Sequence, residues 1–235
     1  MSWFLWRWAV GLDCMNSFQT GEVVSNASIL IPIAISVYKY TNLREAFKVF
    51  FLFLLLHLVF NIVSWYTSYR VIHNLPLYHA ITVVEFAFYS FMYFGIAKQA
   101  RYKKTILLII VLFTTFCVLN AIYLEDVYTD YNSNTRAVAS LVLMIYAISY
   151  FYRMLKELTV ETVEQEDMFW FNAGVLLYFA GTFFLSLFLK VFFDVAEKTE
   201  AFKDFLHQIY YLQYFLYVIL NLLIAKAIWV SQPSK

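Results

Sequence analysis

Seven stretches of about 20 predominantly apolar residues, each long enough to cross a hydrocarbon layer about 30 Å thick, follow one another along this chain with short polar connections. In lipid, every backbone N–H and C=O must find its partner within the protein, so runs of this length become helices. Composition points the same way. With 63% hydrophobic residues, 14% charged residues and a mean hydropathy of +0.67, the chain lies far from the balance of a soluble domain.

The expectation is an all-α membrane protein, a bundle of seven transmembrane helices forming a single domain over residues 1–235. An interfacial segment is expected at 1–22, where Trp3, Trp6 and Trp8 surround Arg7. Spans follow at about 23–40, 45–66, 76–97, 104–124, 135–155, 168–193 and 205–230. Pro32 should kink the first span, which leaves six crossings if that span fails to traverse the bilayer. Within it, Ser25, Ser28, Pro32 and Ser36 make a small face suited to close packing. In the sixth, Gly174 and Gly181 share a face along which a neighbouring backbone can approach. The fourth reads as packing or lipid-facing surface, Asn134 or Thr135 as the cap of the fifth, and Thr162 with Gln165 as a capping box for the sixth.

Lysines and arginines in short loops set orientation. Lys39, Arg44, Lys48, Lys98, Arg101, Lys103, Lys104, Arg153, Lys156, Lys226 and Lys235 fall on one side, eleven in all, and Arg7, Arg70, Arg136, Lys190, Lys198 and Lys203 on the other, six in all. The amino terminus is thus expected outside and the carboxyl terminus in the cytoplasm, in a multi-pass protein of the inner (cytoplasmic) membrane. A net charge of +1 with no basic patch gives no nucleic-acid footprint. Cys14 and Cys117 lack metal-ligand spacing and form no disulfide framework.

The third span, LPLYHAITVVEFAFYSFMYFGIA, carries a carboxylic acid, Glu85, near its middle. A charge at bilayer depth costs roughly 2.5–3.5 kcal/mol on insertion scales, so such a residue is expected to face the bundle interior and to mark function. On this helix Tyr78, Thr82, Glu85 and Tyr89 recur at helical spacing, as do His207, Tyr210, Tyr214, Tyr217 and Asn221 on the seventh and His57, Asn61 and Ser64 on the second. With the amino terminus outside, His57 and Glu85 sit near mid-depth, and Asn61, Ser64, Tyr78, Thr82, His207 and Tyr210 lie in the outer half. That is the arrangement of a ligand cavity between helices, open toward the outside. The alternative is that the tyrosines only hydrogen-bond helix to helix and that Glu85 only fixes packing. His73 and His79 read as ordinary interface residues.

Sharper chemistry does not fit the residues. Lys226 lies too near the inner end for a retinal Schiff base, and the last helix has His207 without the paired histidine of a seven-helix zinc hydrolase. No haem-ligand pair, phosphate loop or nucleophile elbow occurs. No catalytic residue, metal ligand or cofactor is assigned.

In the third span, His79, Thr82, Glu85 and Phe86 form a pattern HxxTxxEF. In the sixth, Phe169, Trp170, Gly174, Leu176, Tyr178, Phe179, Gly181, Thr182, Phe183, Phe184 and Leu185 form a second. At these two segments the chain resembles a group of uncharacterised bacterial seven-helix membrane proteins, similar to the membrane sensor regions of histidine kinases. The resemblance implies signalling. No kinase or other cytoplasmic output domain is expected within these residues, so a signal would be expected to pass to a separate protein.

Three functions follow as expectations. The first is a receptor-like module that binds a small or lipid-derived ligand in an outer-half cavity and shifts its helices against a cytoplasmic partner such as a histidine kinase. The second is a proton-coupled transporter using Glu85, which would lack visible internal repeats. The third is an intramembrane lipid-modifying enzyme with Glu85 and His57 as acid and base.

Overall fold

The computed structural model describes residues 12–70, 72–157, 163–196 and 200–232, and side chains over the same ranges except 12–19, 69, 157 and 188–207. The interfacial reading of Trp3, Trp6, Trp8 and Arg7 lies outside the described residues, as do Thr162 of the expected capping box, Lys198 and Lys235, and the side chains of Cys14, Lys190, Lys203 and His207.

Among the described residues there are eight α-helices and no strand: α1 Leu12–Ala27, α2 Leu30–Lys39, α3 Glu45–Tyr69, α4 Leu75–Ile96, α5 Ala100–Tyr123, α6 Ser133–Glu157, α7 Asp167–Ala196 and α8 Glu200–Val230. Helices α1 and α2 together make one stretch, and seven stretches of the described residues are long and apolar enough to cross a membrane. The face where the first stretch begins is called the amino face below.

The break between α1 and α2 falls one turn before Pro32, at Ser28 and Ile29. Proline has no N–H to offer the carbonyl four residues back. That carbonyl, on Ser28, instead accepts from Ile31 N–H at 3.1 Å. Ser28 Oγ donates to Ser25 O at 2.6 Å and Ser36 Oγ to Pro32 O at 2.7 Å, so the serines turn inward and satisfy themselves. The face they form with Pro32 is buried. Asn221 Nδ2 on α8 donates to Ser28 Oγ at 2.8 Å and pins the break in place.

Lipid tails are as apolar as leucine, so helices associate in a bilayer through close packing and polar bonds rather than through hydrophobic exclusion. The pairing of α7 with α8 shows this. A Cβ at Gly174 would stand 3.2 Å from both Leu220 Cδ1 and Leu223 Cβ, and one at Gly181 would collide with Leu216. Glycine is what permits this approach. By contrast α5 turns Leu107, Leu108, Val111, Leu112, Val118, Leu119 and Ile122 outward, a face suited to lipid.

Away from the amino face the core is aromatic and dry. Phe50, Phe53, Tyr89, Phe171 and Phe179 are all buried, with Phe171 fully so, and their rings meet mostly edge to face at 5.2–5.8 Å. Contacts of this geometry contribute about 0.5–1.5 kcal/mol each beyond area. Tyr93 Oη closes the layer by donating to Asn172 Oδ1 at 2.8 Å. On the far face Lys39 Nζ donates to Trp229 O at 2.5 Å and Ser231 O at 3.1 Å, placing a cation on the last carbonyls of α8. Arg44 pairs with buried Asp167 at 3.2 Å, fastening the start of α3 to the start of α7.

Candidate functional site

On the amino-face side of that aromatic layer lies a cavity of about 170 Å³, far larger than the roughly 30 Å³ that one water takes in the liquid. Six of the seven membrane stretches contribute to its wall, α5 being the exception. Glu22 and Ser25 come from α1, His57, Asn61 and Ser64 from α3, Tyr78 and Glu85 from α4, Arg136 from α6, Tyr178 from α7, and Tyr210, Tyr214 and Tyr217 from α8. Helices α3 and α4 pack directly on each other. Glu85, Tyr214, His57 and Asn61 therefore share one interior volume, as the helical spacing predicts.

Four expected residues are elsewhere or outside view. Thr82 is absent from the cavity wall: its Oγ1 donates to Tyr78 O at 2.9 Å and accepts from Asn132 Nδ2 at 2.5 Å. Tyr89 belongs to the aromatic layer, ringed by Phe50, Phe53, Phe171 and Phe179. Asn221 is spent on Ser28. His207 keeps its backbone in α8, but its side chain lies outside the described residues.

Arg136 corrects the charge reading. Counted in sequence as a loop cation on the amino-terminal side, it sits in the first turn of α6 with its side chain on the cavity wall, within reach of the Tyr178 phenol. Glu85 and Tyr131 are within its electrostatic reach, yet among the described residues no ion pair joins it to an acid. The cavity thus holds a guanidinium and a carboxyl group that face one space without an ion pair between them.

What places Arg136 there is the connection between α5 and α6, a folded clamp rather than a loose turn. The Glu125 carboxylate, 3% exposed, accepts from Asn120 Nδ2 at 2.7 Å and from Asn134 N–H at 3.0 Å. One N-terminal amide of α6, that of Asn134, is therefore capped by a residue from the start of the loop, where Asn134 or Thr135 was expected to cap. Asn134 Nδ2 instead donates to Asn120 Oδ1 at 3.1 Å, and Thr135 Oγ1 to Asn132 O at 3.1 Å. Asn132, fully buried, donates to Tyr78 O at 2.9 Å as well as to Thr82. His79 Nε2 meets Asp130 O at 3.1 Å. The end of the loop that leads into α6 is thereby tied to α4, which sets Tyr131 against Tyr78 at 6.2 Å between ring centres.

The polar atoms of the wall are unevenly satisfied. Tyr78 Oη and Ser64 Oγ share a hydrogen bond of 2.8 Å, and Asn74 Nδ2 donates to Ser64 Oγ at 3.4 Å and to Ser68 Oγ at 3.0 Å. His57 is held by rings on three sides, Phe53 at 5.4 Å, Phe60 at 5.8 Å and Tyr217 at 6.0 Å, while its Nδ1 has no partner. Asn61 Nδ2 is likewise buried without one. Buried polar atoms are rarely left so, and one beside a cavity is a place for a bound group.

No protein-family model, curated protein or solved structure matches this chain. The site is read from its own chemistry.

Sequence reasoning missed Glu22, Tyr131, Arg136, Tyr178 and Gln213 of the wall. Gln213 sits three residues after Tyr210 and was available to the helical pattern. Tyr178 was noticed only as part of a sequence pattern. For Arg136 no signal in the sequence separates a cavity arginine from a loop arginine, because the clamp that turns it inward is tertiary.

Proposed function

We propose that this chain is a receptor-like membrane protein that binds a small or lipid-derived ligand in the outer half of its bundle and passes a change in helix packing to a separate cytoplasmic partner. The observation that carries this reading is the contrast between the two halves. A polar cavity walled by six membrane stretches ends at His57 and Tyr178 on a dry layer of interlocked rings, in which Phe53 touches His57 and Phe179 touches Tyr178. A molecule in the cavity would contact nearly every helix and have no path onward. That suits sensing, in which differential contacts in two states shift a population, better than passage. The resemblance to sensor regions supports a histidine kinase as the partner, and the basic asymmetry supports the amino face as the outer one.

The test uses full-length protein with Cys14→Ala and Cys117→Ala and spin labels on cysteines replacing Lys98 and Lys156, both on the far face. A native lipid and metabolite extract is added, and its retained component is identified by mass spectrometry. A changed distance distribution without accumulation of that component inside proteoliposomes is expected. Gradient-driven accumulation would replace this reading with a carrier.

A further inference from the structure

We infer that Arg136 is the anchor for an anionic oxygen group, a carboxylate or phosphate, and that the cavity's ligand is a small acid that presents this group to the guanidinium and a hydrogen-bond donor toward Glu85. The inference rests on the ligand-binding reading above and names the ligand's class.

The argument begins with cost. An arginine inside a helical bundle is expensive unless it is paired, hydrogen-bonded or facing water. Its guanidinium carries five N–H donors and no acceptor. Here the Tyr178 phenol stands within reach on the same wall and can accept from one of those donors. No carboxylate among the described residues lies close enough to form an ion pair with it, although Glu85 shares the cavity. An arginine whose purpose was structural would be expected in direct contact with that acid, as Arg44 is with Asp167 at 3.2 Å on the far face. The remaining donors instead belong to a group on the wall of an open space of about 170 Å³.

Planar guanidinium geometry suits a bidentate oxyanion, with two parallel N–H···O bonds that a lysine could not reproduce. Tyr178 stands beside the fork, and the α5–α6 clamp fixes the backbone that carries it. The other walls complete the class. Glu85 can only accept when ionised, so a ligand placed between it and Arg136 fits best with a hydroxyl or amine a few atoms from its acid. Phe60, Trp65, Leu75 and Ile81 supply apolar contact for a short carbon skeleton. His57 Nδ1 and Asn61 Nδ2 lie without partners on the same side, available to a second polar group after a small rotation.

The acid could be free in solution or be the head of a membrane lipid; both present the same oxygens. The test therefore has two arms with full-length protein in neutral detergent and in phosphatidylcholine nanodiscs. In the first, thermal unfolding is followed with potassium acetate, lactate, butyrate, 4-hydroxybutyrate and phosphate against potassium chloride of equal ionic strength, each carboxylate also compared with its neutral amide. In the second, nanodiscs contain oleic acid, phosphatidic acid or neither. At least one acid is expected to stabilise wild type with an apparent affinity tenfold or more above its amide or neutral lipid. Arg136→Gln should abolish that discrimination, and Arg136→Lys should weaken it while keeping the sign. Discrimination in the first arm assigns a soluble acid and in the second a lipid head.

Equal binding of acid and neutral counterpart by wild type in both arms overturns the inference. So does an acid preference that survives Arg136→Gln. The wild-type comparison needs no variant, which keeps the test decisive should Arg136→Gln not fold. An acid that binds through Arg136 but moves no far-face label would keep the anchor and sink the receptor reading. A neutral molecule that moves the labels and ignores Arg136→Gln would do the reverse.

Discussion

Glu125 organises more of the site than any residue on the cavity wall. Its two oxygens join the end of α5 to the start of α6, one through Asn120 Nδ2 and the other through the Asn134 amide. Removing a buried acceptor leaves its donors unsatisfied, at about 1–3 kcal/mol. Glu125→Ala is therefore expected to lower stability by about that amount, and to cost ligand affinity as well, because Tyr131 and Arg136 are carried by the segment it holds. Glu125→Gln keeps one acceptor and should lose less. Thermal unfolding in detergent measures both, and an unchanged melting temperature for Glu125→Ala would show that Asn120 and Asn132 hold the clamp without it. Glu85 stands differently: it lines the cavity and is 8% exposed, with no direct ion pair among the described residues. Its neighbours could not be read from spacing, since spacing gives the face of a helix and not what stands opposite.

Between elements, the contact of α7 with α8 is set by missing side chains. At Gly181 an added methyl would collide with Leu216, whose flexible end must then move. Overpacking of this kind costs about 1–3 kcal/mol. Gly181→Ala should fall at the low end and Gly181→Val at the high end, and Leu216→Ala should rescue Gly181→Val in a double-mutant cycle, the two residues being in contact. Additive losses would mean that the glycine serves helix flexibility rather than close approach. The glycine pair was legible because seven residues is two helical turns. The break before α2 was legible only in part. Pro32 announces a kink, but that it opens at Ser28 and Ile29, and that Asn221 secures it, depends on α8 lying alongside.

For the whole molecule, the far face gathers Lys39 and Arg44, each fastened to a helix end, while on the amino face Arg136 is withdrawn into the cavity. Taking Arg136 out of the loop count leaves the smaller group of basic residues smaller still, which widens the asymmetry on which the expected orientation rests. A reporter fused after Lys235 is expected to behave as cytoplasmic and one inserted beside Asp130 as external. The insertion belongs between Val127 and Thr129, beyond the bonds that Asp130 and Asn132 make to α4. The opposite pattern would invert the molecule and turn the cavity toward the cytoplasm.

Sequence alone determined that the chain is helical, that it has seven apolar stretches long enough to cross a membrane, and which helix faces carry the polar residues. These follow from backbone satisfaction in lipid and from a periodicity that one helix imposes by itself. Tertiary structure decided the rest. Tyr89 and Tyr78 lie on one face of the same helix, yet one is sealed among rings and the other lines a cavity, because their surroundings come from α3, α7 and α8. Arg136 and Glu85 are 51 positions apart in sequence and share one cavity, because Glu125 closes the α5–α6 connection and Asn132 ties it to α4. Local pattern records which way a side chain leaves its own helix; what it meets there is decided by chain segments that the pattern does not contain.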